Sequence, residues 1–423
     1  MNEDEIRDIM ARSEALAAQA TQVFKPRSPI TTKELFAGRW AELTSVSDAV
    51  HQPGLHVVIY GERGVGKTSL ANVVAPTIVT LDNIGKESDE QTERLVLKAV
   101  ANSDDSFSSL WHRIFTEILW PEQSSGIVGS PVTISTREAF SLPDNLEIDD
   151  VRRVLAHTPG AVFIFDEFDQ SRREVSRSFT QLIKTISDLV IDCTVIVVGV
   201  SETVDNLISD HASIVRALTQ IRLERMKSDE LQQILINAEK VLQLKFTDEA
   251  TTLIVNVSQG LPHYTHLIGL NAVRSAAARF SLTEVNRDDV FEALKKAVKQ
   301  AQQSVTDKHS TAIHSSHKSA LYRHVLLACA LAASRSHDPL GFFSPSSIVG
   351  PLKEILGRPV KIATFTNHLS EFCEEKHGSI LERDGQPWGY RYRFRDPLLV
   401  PFIFMDGLEA GIATGGGLVQ MLE

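Results

Sequence analysis

The chain has 423 residues, of which 43% are hydrophobic and 23% are charged. These values are ordinary for a folded protein of two or three domains. The formal net charge of −11 argues against a general nucleic-acid binder, because such proteins are more often basic. Contact with DNA would therefore require a local basic surface.

The ends of the chain and its cysteines indicate a cellular location. The first residues are acidic and have no apolar stretch behind them, which is unlike a secretory signal. The apolar run 325–333 is too short to span a bilayer. Cys193, Cys329 and Cys373 lack the spacing of a disulfide framework or a metal site. We therefore expect a cytoplasmic protein without a membrane partner, with each cysteine acting as a small buried hydrophobe.

An Ala-rich amphipathic pattern opens the chain and predicts a helix over residues 1–24. The segment Lys25-Pro-Arg-Ser-Pro29 then breaks it. An α/β domain is predicted over residues 30–228, because helical patterns separate its strand candidates, which implies parallel strands. These candidates are short runs rich in Val and Ile, at residues 55–60, 77–81, 161–165 and 194–199.

Residues Gly61 to Thr68 read G-E-R-G-V-G-K-T, between a predicted strand and a predicted helix. A chance match is the alternative, and the strand-before, helix-after context makes it rarer. In such a loop, glycines let backbone N–H groups bind phosphate oxygens, Lys67 reaches the outer phosphates and the Thr68 hydroxyl ligates Mg²⁺. The predicted nucleotide-binding residues here are Gly61, Gly64, Val65, Gly66, Lys67, Thr68 and Ser69.

The run Ala161-Val-Phe-Ile-Phe-Asp-Glu-Phe-Asp169 is an apolar strand that ends in acids. Parallel strands place such carboxylates at the edge of the sheet where the phosphate loop lies. We predict that Asp166 holds Mg²⁺, directly or through water, and that Glu167 orients and deprotonates the attacking water. A solvated acidic turn is the alternative. Asp169 is a weaker candidate, since it could equally cap the next helix.

The strand candidate over 195–201 ends at Ser201. Ser201, or its neighbours Glu202 and Thr203, could hydrogen-bond the γ-phosphate or the lytic water. A helix cap at the end of the strand explains the same residues.

From residue 229 to 304 the pattern is all-helical, with four predicted helices. Residues 305–319 are rich in Ser, Thr and His and are predicted to be a linker. His309, His314 and His317 have loosely metal-like spacing. Since no cysteine or acidic partner is near them in sequence, a solvated linker explains them better.

Three predicted helices and two strand-like runs make up residues 320–406 and indicate a winged helix-turn-helix domain, followed by a tail over 407–423. The helices are predicted at 321–334, 345–356 and 361–375, and the strands at 379–383 and 390–394. Candidate DNA-binding residues lie at the start of the third helix, along it and on one face of the second strand: Arg358, Lys361, Asn367, Arg391 and Arg393. Nearby acids nearly neutralise the domain, so protein docking remains the alternative.

The order of these parts resembles the AAA+ ATPases, and within them the origin-recognition and cell-division-cycle initiators of archaea and eukaryotes. Bacterial relatives of that group include transposition helpers and signalling ATPases. The resemblance covers most of residues 30–405. It includes Leu35-Phe-Ala-Gly-Arg39, the phosphate loop, the acidic strand, the strand ending at Ser201, the helical lid and the winged helix.

The resemblance implies an αβα fold with a five-stranded parallel sheet, and ATP bound between this base and the helical lid. It implies that a segment near Gly38-Arg39 lies close to the adenine, so Arg39 is a predicted nucleotide-binding residue. It also implies an arginine finger that acts on the ATP of a neighbouring subunit. The segment Ser213-Ile-Val-Arg216, before the chain enters the lid, is similar to the setting of that finger. Arg216 is the predicted finger, and Arg222 and Arg225 remain open. A plain surface arginine is the alternative for Arg216.

Two departures from the family pattern predict slow hydrolysis. The family often carries a sensing arginine where this chain has His263, which either contacts the γ-phosphate or is an ordinary histidine at a helix start. The initiators usually have Asn where this chain has Ser201. We therefore expect a Mg-ATP-dependent, self-assembling switch or loader on double-stranded DNA. The alternative is a signalling or scaffold ATPase whose winged helix docks a protein.

Overall fold

The computed structural model describes residues 3–84, 86, 94–121, 133–201, 203–208, 214–314, 321–336, 338, 341–386 and 389–412. The chain forms two compact units. One comprises Pro29–Glu224, and the other comprises Met1–Ser28 together with Arg225–Glu423. None of the helices in the described ranges is both long and apolar enough to span a bilayer.

Helices account for most of the second unit and surround the sheet of the first. In chain order they are α1 Glu3–Val23, α2 Trp40–Val50, α3 Lys67–Asp82, α4 Phe107–Phe115, α5 Thr136–Phe140, α6 Ile148–Leu155, α7 Arg173–Asp188, α8 Val204–Leu207, α9 Ser228–Leu242, α10 Asp248–Ser258, α11 Pro262–Ala278, α12 Arg287–Gln300, α13 Gln303–Ile313, α14 Tyr322–Ser334, α15 Pro345–Leu356, α16 Thr366–Glu371 and α17 Leu399–Glu409.

The strands of the described residues form one large sheet and three two-stranded pairs. They are β1 His56–Gly61, β2 Val96–Val100, β3 Leu119–Pro121, β4 Thr133–Ser135, β5 Ala161–Asp166, β6 Cys193–Val200, β7 Leu218–Leu223, β8 Lys245–Phe246, β9 Glu284–Val285, β10 Leu381–Asp384 and β11 Arg391–Phe394.

The large sheet has the strand order β2-β5-β6-β1-β7, and every neighbouring pair is parallel. The five-stranded parallel sheet implied by the AAA+ resemblance is thus confirmed. Its three inner strands are almost wholly buried, which explains their continuous runs of Val, Ile and Phe. Because the strands are parallel, their carboxyl ends meet at one edge, where β1, β5 and β6 deliver Gly61, Asp166 and Val200.

One strand prediction for this unit was wrong, and two strands of the large sheet were missed. Residues 77–81, predicted as a strand, lie inside α3, which continues through Pro76. Their β-branched residues favoured a strand, but burial of Thr77 and Ile78 on the inner face of the helix decides the outcome. The strands β2 and β7 were not predicted. Both are edge strands, in which exposed and polar positions interrupt the apolar run.

The core on one side of the sheet centres on Trp111 of α4, which is fully buried. Its ring lies 4.9 Å from Phe165 and 5.5 Å from Phe163, both on β5, and stacks on Phe179 of α7 at 6.0 Å. Aromatic pairs at these separations stabilise a core beyond their burial alone. The strand that carries Asp166 is therefore held firmly from this side.

The first helix is part of the second unit. α1 packs against α11 and α9, and the Ser13 hydroxyl donates a 2.6 Å hydrogen bond to the carbonyl of Ala277. Phe24 is 1% exposed and lies against Gly269 in the middle of α11. A Cβ at Gly269 would come within 2.6 Å of the Phe24 ring, so glycine is what permits this close packing.

The predicted linker over 305–319 is wrong in its first part, which forms helix α13 and continues to Ile313. His309 is 3% exposed and its Nε2 lies 3.3 Å from Asp406 Oδ2. His314 is exposed at the end of the helix, and His317 lies outside the described residues. Among the residues that the structure describes, no group of His, Cys, Asp and Glu could hold a metal ion through three ligands.

The C-terminal part of this unit has three helices, α14, α15 and α16, followed by the β10–β11 hairpin. An isolated bridge joins Phe343 to Tyr392 of the hairpin. The third predicted helix, 361–375, is shorter than expected: a 3₁₀ turn over Ile362–Thr364 precedes the six-residue α16. The identity of this region as a winged helix stays a prediction.

The last helix, α17, was not predicted, and it crosses the expected boundary between domain and tail. Most of its residues are buried, from Leu399 to Gly407, and it packs against α12 and α14. The hydroxyl of Tyr264, in the first turn of α11, donates a 2.6 Å hydrogen bond to the carbonyl of Leu398 just before α17. The tail residues 413–423 lie outside the described part of the chain.

Candidate functional site

The loop after β1 requires glycine for two physical reasons. Gly61, Gly64 and Gly66 have φ values of 152°, 86° and 98°, which side-chain-bearing residues rarely adopt. A Cβ on Gly61 would also lie 2.2 Å from the carbonyl oxygen of Leu223 on β7. The glycine spacing noted in the sequence therefore matches a backbone that only glycine can follow here.

The loop encloses the ammonium group of Lys67, the first residue of α3. Its Nζ donates hydrogen bonds to the carbonyl oxygens of Gly61, at 3.0 Å, and Glu62, at 2.7 Å. Burial lowers the pKa of Lys67 to about 8, and the nearby Asp169 and Asp166 carboxylates oppose that shift. Val65, which is part of the loop, is buried.

Thr68 and Asp166, which come from distant parts of the sequence, are adjacent. The Thr68 hydroxyl donates to Asp166 Oδ1 over 3.4 Å. The same oxygen accepts the backbone N–H of Glu167 at 2.9 Å, and Asp166 is 3% exposed. The Thr68 hydroxyl and the buried Asp166 carboxylate are oxygen ligands of the kind that Mg²⁺ prefers.

Glu167 has a left-handed backbone, with φ 53° and ψ 33°, and an exposed side chain. A non-glycine residue pays about 1–2 kcal/mol for this conformation. It is held by its N–H bond to Asp166 and by the buried ring of Phe168 that follows. Its carboxylate therefore extends to solvent from the same sheet edge that carries Asp166.

Asp169 does not cap the next helix, which was one of its two interpretations. Its Oδ1 accepts the backbone N–H of Val200 at 2.7 Å, so it joins the acidic turn after β5 to the end of β6. Gly199 makes this approach possible, because a Cβ there would lie 3.0 Å from Asp169 N and Oδ1 and 2.5 Å from Leu207. Helix α7 begins four residues later, at Arg173.

Ser201 is at the expected edge, but its hydroxyl has a local partner. It donates to the carbonyl of Thr203 at 2.6 Å, and its backbone N–H donates to Gly61 O at 3.3 Å. This bonding holds the turn before α8 and favours the structural interpretation of Ser201. Glu202 lies outside the described residues.

Ser69 and Arg39 both bond to segments outside the phosphate loop. Ser69 Oγ accepts the N–H of Ile30 at 3.1 Å. The Arg39 guanidinium donates to Glu42 Oε1 at 3.0 Å and to the carbonyl of Glu224 after β7. Arg39 is 7% exposed and has a left-handed φ of 59°. It anchors α2 to the edge of the sheet, and its predicted contact with adenine stays a prediction.

Arg216 and His263 are the two candidates outside the loop and the acidic strand. Arg216 lies on a 3₁₀ turn over Val215–Ala217 and is exposed. His263, in the second unit, donates from Nδ1 to the carbonyl of Pro26 at 2.5 Å. That bond favours the interpretation of His263 as an ordinary histidine at a helix start.

The candidate DNA-binding residues divide into two groups. Arg358, Lys361 and Asn367 are exposed. The two arginines of β11 are paired with acids instead. Arg391 bonds Asp338 at 3.1 Å and Asp384 at 2.7 Å, and Arg393 bonds Glu382 at 2.9 Å. Both guanidinium groups also lie 4.8 Å from the centre of the Phe342 ring.

One residue of the site was missed in the sequence. Lys98, on β2, places Nζ 2.8 Å from Asp166 Oδ2 and 2.7 Å from Asn72 Oδ1 on α3. A lone lysine inside the otherwise apolar run Leu95-Val-Leu-Lys-Ala-Val100 was the available signal. Its meaning depends on β2 and β5 being neighbours, which the run itself does not reveal.

Comparisons with known proteins agree with this geometry. A family model described as novel STAND NTPase 1 matches residues 30–264, more than half of the chain. No curated protein sequence matches it. This match confirms the prediction, made from the phosphate loop, that the chain belongs to a family of NTPases.

Several solved structures are similar over most of their length. Cdc6p from Pyrobaculum aerophilum shares 15% identity, with 95% of this chain and 97% of that chain covered and a TM-score of 0.46. The ORC2 protein from Aeropyrum pernix, solved as ADPNP–ADP complexes, shares 15% identity over 93% and 99%, with a TM-score of 0.48. A Walker-type ATPase of Pyrococcus abyssi shares 14% identity over 89% and 98%, with a TM-score of 0.47.

Proposed function

Because this chain belongs to the novel STAND NTPase 1 family, we propose that it is an ATP-dependent molecular switch that binds Mg-ATP, assembles with copies of itself and hydrolyses ATP slowly. The observation that carries this proposal is the meeting of Lys67, Thr68 and Asp166 at one sheet edge. A phosphate loop and a metal-binding acid that share a single edge are what triphosphate chemistry requires.

The residues of the loop divide the work of binding. The N–H groups of residues 61–68 and the start of α3 bind phosphate oxygens, because a helix N-terminus attracts anions. Lys67 exchanges its bonds to Gly61 and Glu62 for bonds to the outer phosphates. Thr68 and Asp166 would hold Mg²⁺, which neutralises the charge that develops on the phosphates during hydrolysis.

Glu167 is the proposed catalytic base. Its exposed carboxylate next to Asp166 can accept the proton of a water molecule that attacks the γ-phosphate. Arg216 is the proposed finger, and it acts on the nucleotide of a neighbouring copy. Its exposure on a short 3₁₀ turn suits a residue whose partner lies on another chain.

The proposal of slow hydrolysis is supported by the hydrogen-bond partners of the two sensor candidates. The Ser201 hydroxyl donates to Thr203 O, and the His263 ring donates to Pro26 O. Each must break that bond before it can contact a phosphate, which lowers its contribution to the transition state. A slow ATPase keeps its ATP-bound and ADP-bound states long enough to act as a switch.

For the C-terminal domain we propose protein docking as its output. Arg391 and Arg393 are each paired with carboxylates, so binding DNA phosphates would require these pairs to break. The net charge of −11 points the same way. Double-stranded DNA is the second candidate, favoured by the exposed Arg358, Lys361 and Asn367 at and near the start of α16.

Two variants and one assembly measurement test the proposal. Lys67→Ala should abolish binding of a fluorescent ATP analogue, whereas Glu167→Gln should keep binding and lose turnover. Normal ATP binding by Lys67→Ala would refute the nucleotide site. Light scattering is measured with ATP, with ADP and without nucleotide. Larger assemblies should appear only in the sample that contains ATP. Repeating it with duplex DNA separates the two outputs, because only the DNA-binding candidate expects the duplex to change assembly.

A further inference from the structure

Lys98 is the only basic residue of β2, and the sheet register brings it to the metal-binding acid. Lys98 pairs with Ile164, and Val100 pairs with Asp166. Since side chains alternate along a strand, Lys98 and Asp166 share one face of the sheet. Helix α3 lies on that face, because its Asn72 and Thr68 bond to Lys98 and Asp166. The lysine side chain is 25% exposed, so it is largely withdrawn from solvent.

The lysine bridges two parts of the nucleotide site. Its Nζ donates to Asp166 Oδ2 at 2.8 Å and to Asn72 Oδ1 at 2.7 Å. Asn72 lies one helical turn beyond Thr68 on α3. The other carboxylate oxygen, Oδ1, receives the N–H of Glu167 and the hydroxyl of Thr68. Both carboxylate oxygens of Asp166 therefore have hydrogen-bond partners, and the partner of Oδ2, Lys98, is positively charged.

We propose that Lys98 is a positioning residue that weakens the attraction of the site for Mg²⁺, so that the nucleotide complex responds to the free Mg²⁺ concentration. This inference rests on the proposed function. A lysine cation in contact with the metal-binding carboxylate offsets its charge, and like charges repel strongly over a few ångströms in a partly buried site. If Lys98 is replaced, the Glu167 N–H still orients the Asp166 carboxylate. The loss of the lysine charge should therefore affect Mg²⁺ affinity more than the loss of its hydrogen bond.

The test measures the binding of a fluorescent ATP analogue as Mg²⁺ is titrated from an EDTA-treated baseline. In Lys98→Met the Mg²⁺ concentration at half-maximal effect should fall by about tenfold. Lys98→Arg, which keeps the charge, should restore the wild-type value. Lys184→Met, which removes an exposed lysine of α7, is the control for net charge. A Mn²⁺ titration followed by electron paramagnetic resonance reports metal affinity without any turnover.

The outcomes separate this inference from the function beneath it. Wild-type protein that binds no nucleotide with or without Mg²⁺ would refute the proposed function and this inference with it. Wild type and Lys98→Met that bind nucleotide with the same Mg²⁺ and Mn²⁺ dependence would refute the role of Lys98 alone. A structural role would lower the melting temperature and leave the metal dependence unchanged. If Lys98→Met does not fold, Lys98→Gln, which keeps a donor towards Asn72, supplies the same comparison.

Discussion

The carboxylate of Asp169 accepts the backbone N–H of Val200 at 2.7 Å, and this bond joins the turn that carries Glu167 to the strand that leads into Ser201. Val200 is also the register partner of Gly61, the first residue of the phosphate loop. The bond therefore fixes two segments that, in the proposed function, present their side chains to the same substrate. The position of Glu167 is therefore set by β6 as well as by β5.

Replacing Asp169 tests this bond. Asp169→Ala removes the acceptor of the Val200 N–H and should lower the free energy of unfolding by about 0.5–1.5 kcal/mol. Asp169→Asn keeps an acceptor oxygen and should lose less. Denaturant titration of both variants measures the difference. Equal losses for Ala and Asn would show that the hydrogen bond to Val200 is not what stabilises the turn.

The close approach of Gly61 to β7 predicts a severe effect of a single methyl group. Gly61→Ala places a Cβ against Leu223 O, at the 2.2 Å separation found here, and should lower the free energy of unfolding by about 3 kcal/mol or more. Gly350→Ala is the matched control, since Gly350 lies within α15 and has open space around it. There alanine should change the free energy of unfolding by less than about 1 kcal/mol, because its better helix propensity is offset by crowding against Pro351, which follows it. Thermal melts of both proteins report the result, and a Gly61→Ala protein as stable as wild type would contradict the geometry.

Three buried histidines predict a loss of stability in mild acid. Burial lowers the pKa of His56 to about 3, and of His266 and His309 to about 4. The unfolded chain takes up these protons below about pH 6.5, whereas the folded protein does not. Stability should therefore fall as the pH falls from 6.5 towards 4, by about 2 kcal/mol per histidine at pH 5.

Urea titrations between pH 8 and pH 5 measure this dependence. His56 contributes because its Nδ1 accepts the N–H of Val195, a role that protonation removes. His309 contributes although Asp406 is near, since Arg323 contacts the same carboxylate oxygen at 3.2 Å. Replacing the exposed His157 should leave the profile unchanged. A flat stability profile over this range would mean that these histidines are open to solvent.

The finger role of Arg216 predicts complementation between two inactive variants. Arg216→Ala should lower ATP turnover by on the order of 10³-fold while nucleotide binding is kept. Glu167→Gln is inactive at its own site but still carries Arg216. Mixing the two proteins should restore part of the activity, because the second supplies its arginine to the first. Arg222→Ala is the comparison, and mixtures as inactive as each protein alone would argue against Arg216 acting on a neighbour.

The two groups of basic residues predict different effects on DNA binding. If duplex DNA is the ligand of the C-terminal domain, Arg358→Ala with Lys361→Ala should reduce the slope of log K against log salt by about 2. Arg391→Ala with Arg393→Ala should change that slope little, because those guanidinium groups already neutralise acids. Fluorescence anisotropy over a salt series measures both. Wild-type protein with no measurable duplex binding would leave protein docking as the output.

The parts of the site that the sequence predicts are those in which neighbours along the chain act together. The loop from Gly61 to Thr68 and the acids after β5 are local patterns, and the structure brings Thr68 and Asp166 within 3.4 Å. Lys98 could not be assigned in this way. Its partner is fixed by the pairing of β2 with β5, and β2 itself is an edge strand with a mixed pattern.

The errors in the fold have the same origin. The β-branched run at 77–81 favours a strand locally, but packing of Ile78 continues α3 through it. The helix α17 contains Pro401 and Gly407, which weaken any helical pattern, and its burial against α12 and α14 compensates. In each case contacts between distant residues decide the structure, and a local pattern carries no record of them.

The packing of Phe24 against Gly269 affects how this protein can be shortened. A version that starts at residue 29 would lose the Phe24 ring from the interior of the helical unit. The surface of α11 that this ring covers would then be exposed to water. Such a protein should be prone to precipitate. A fusion partner attached ahead of Glu3 leaves the Phe24 ring in place.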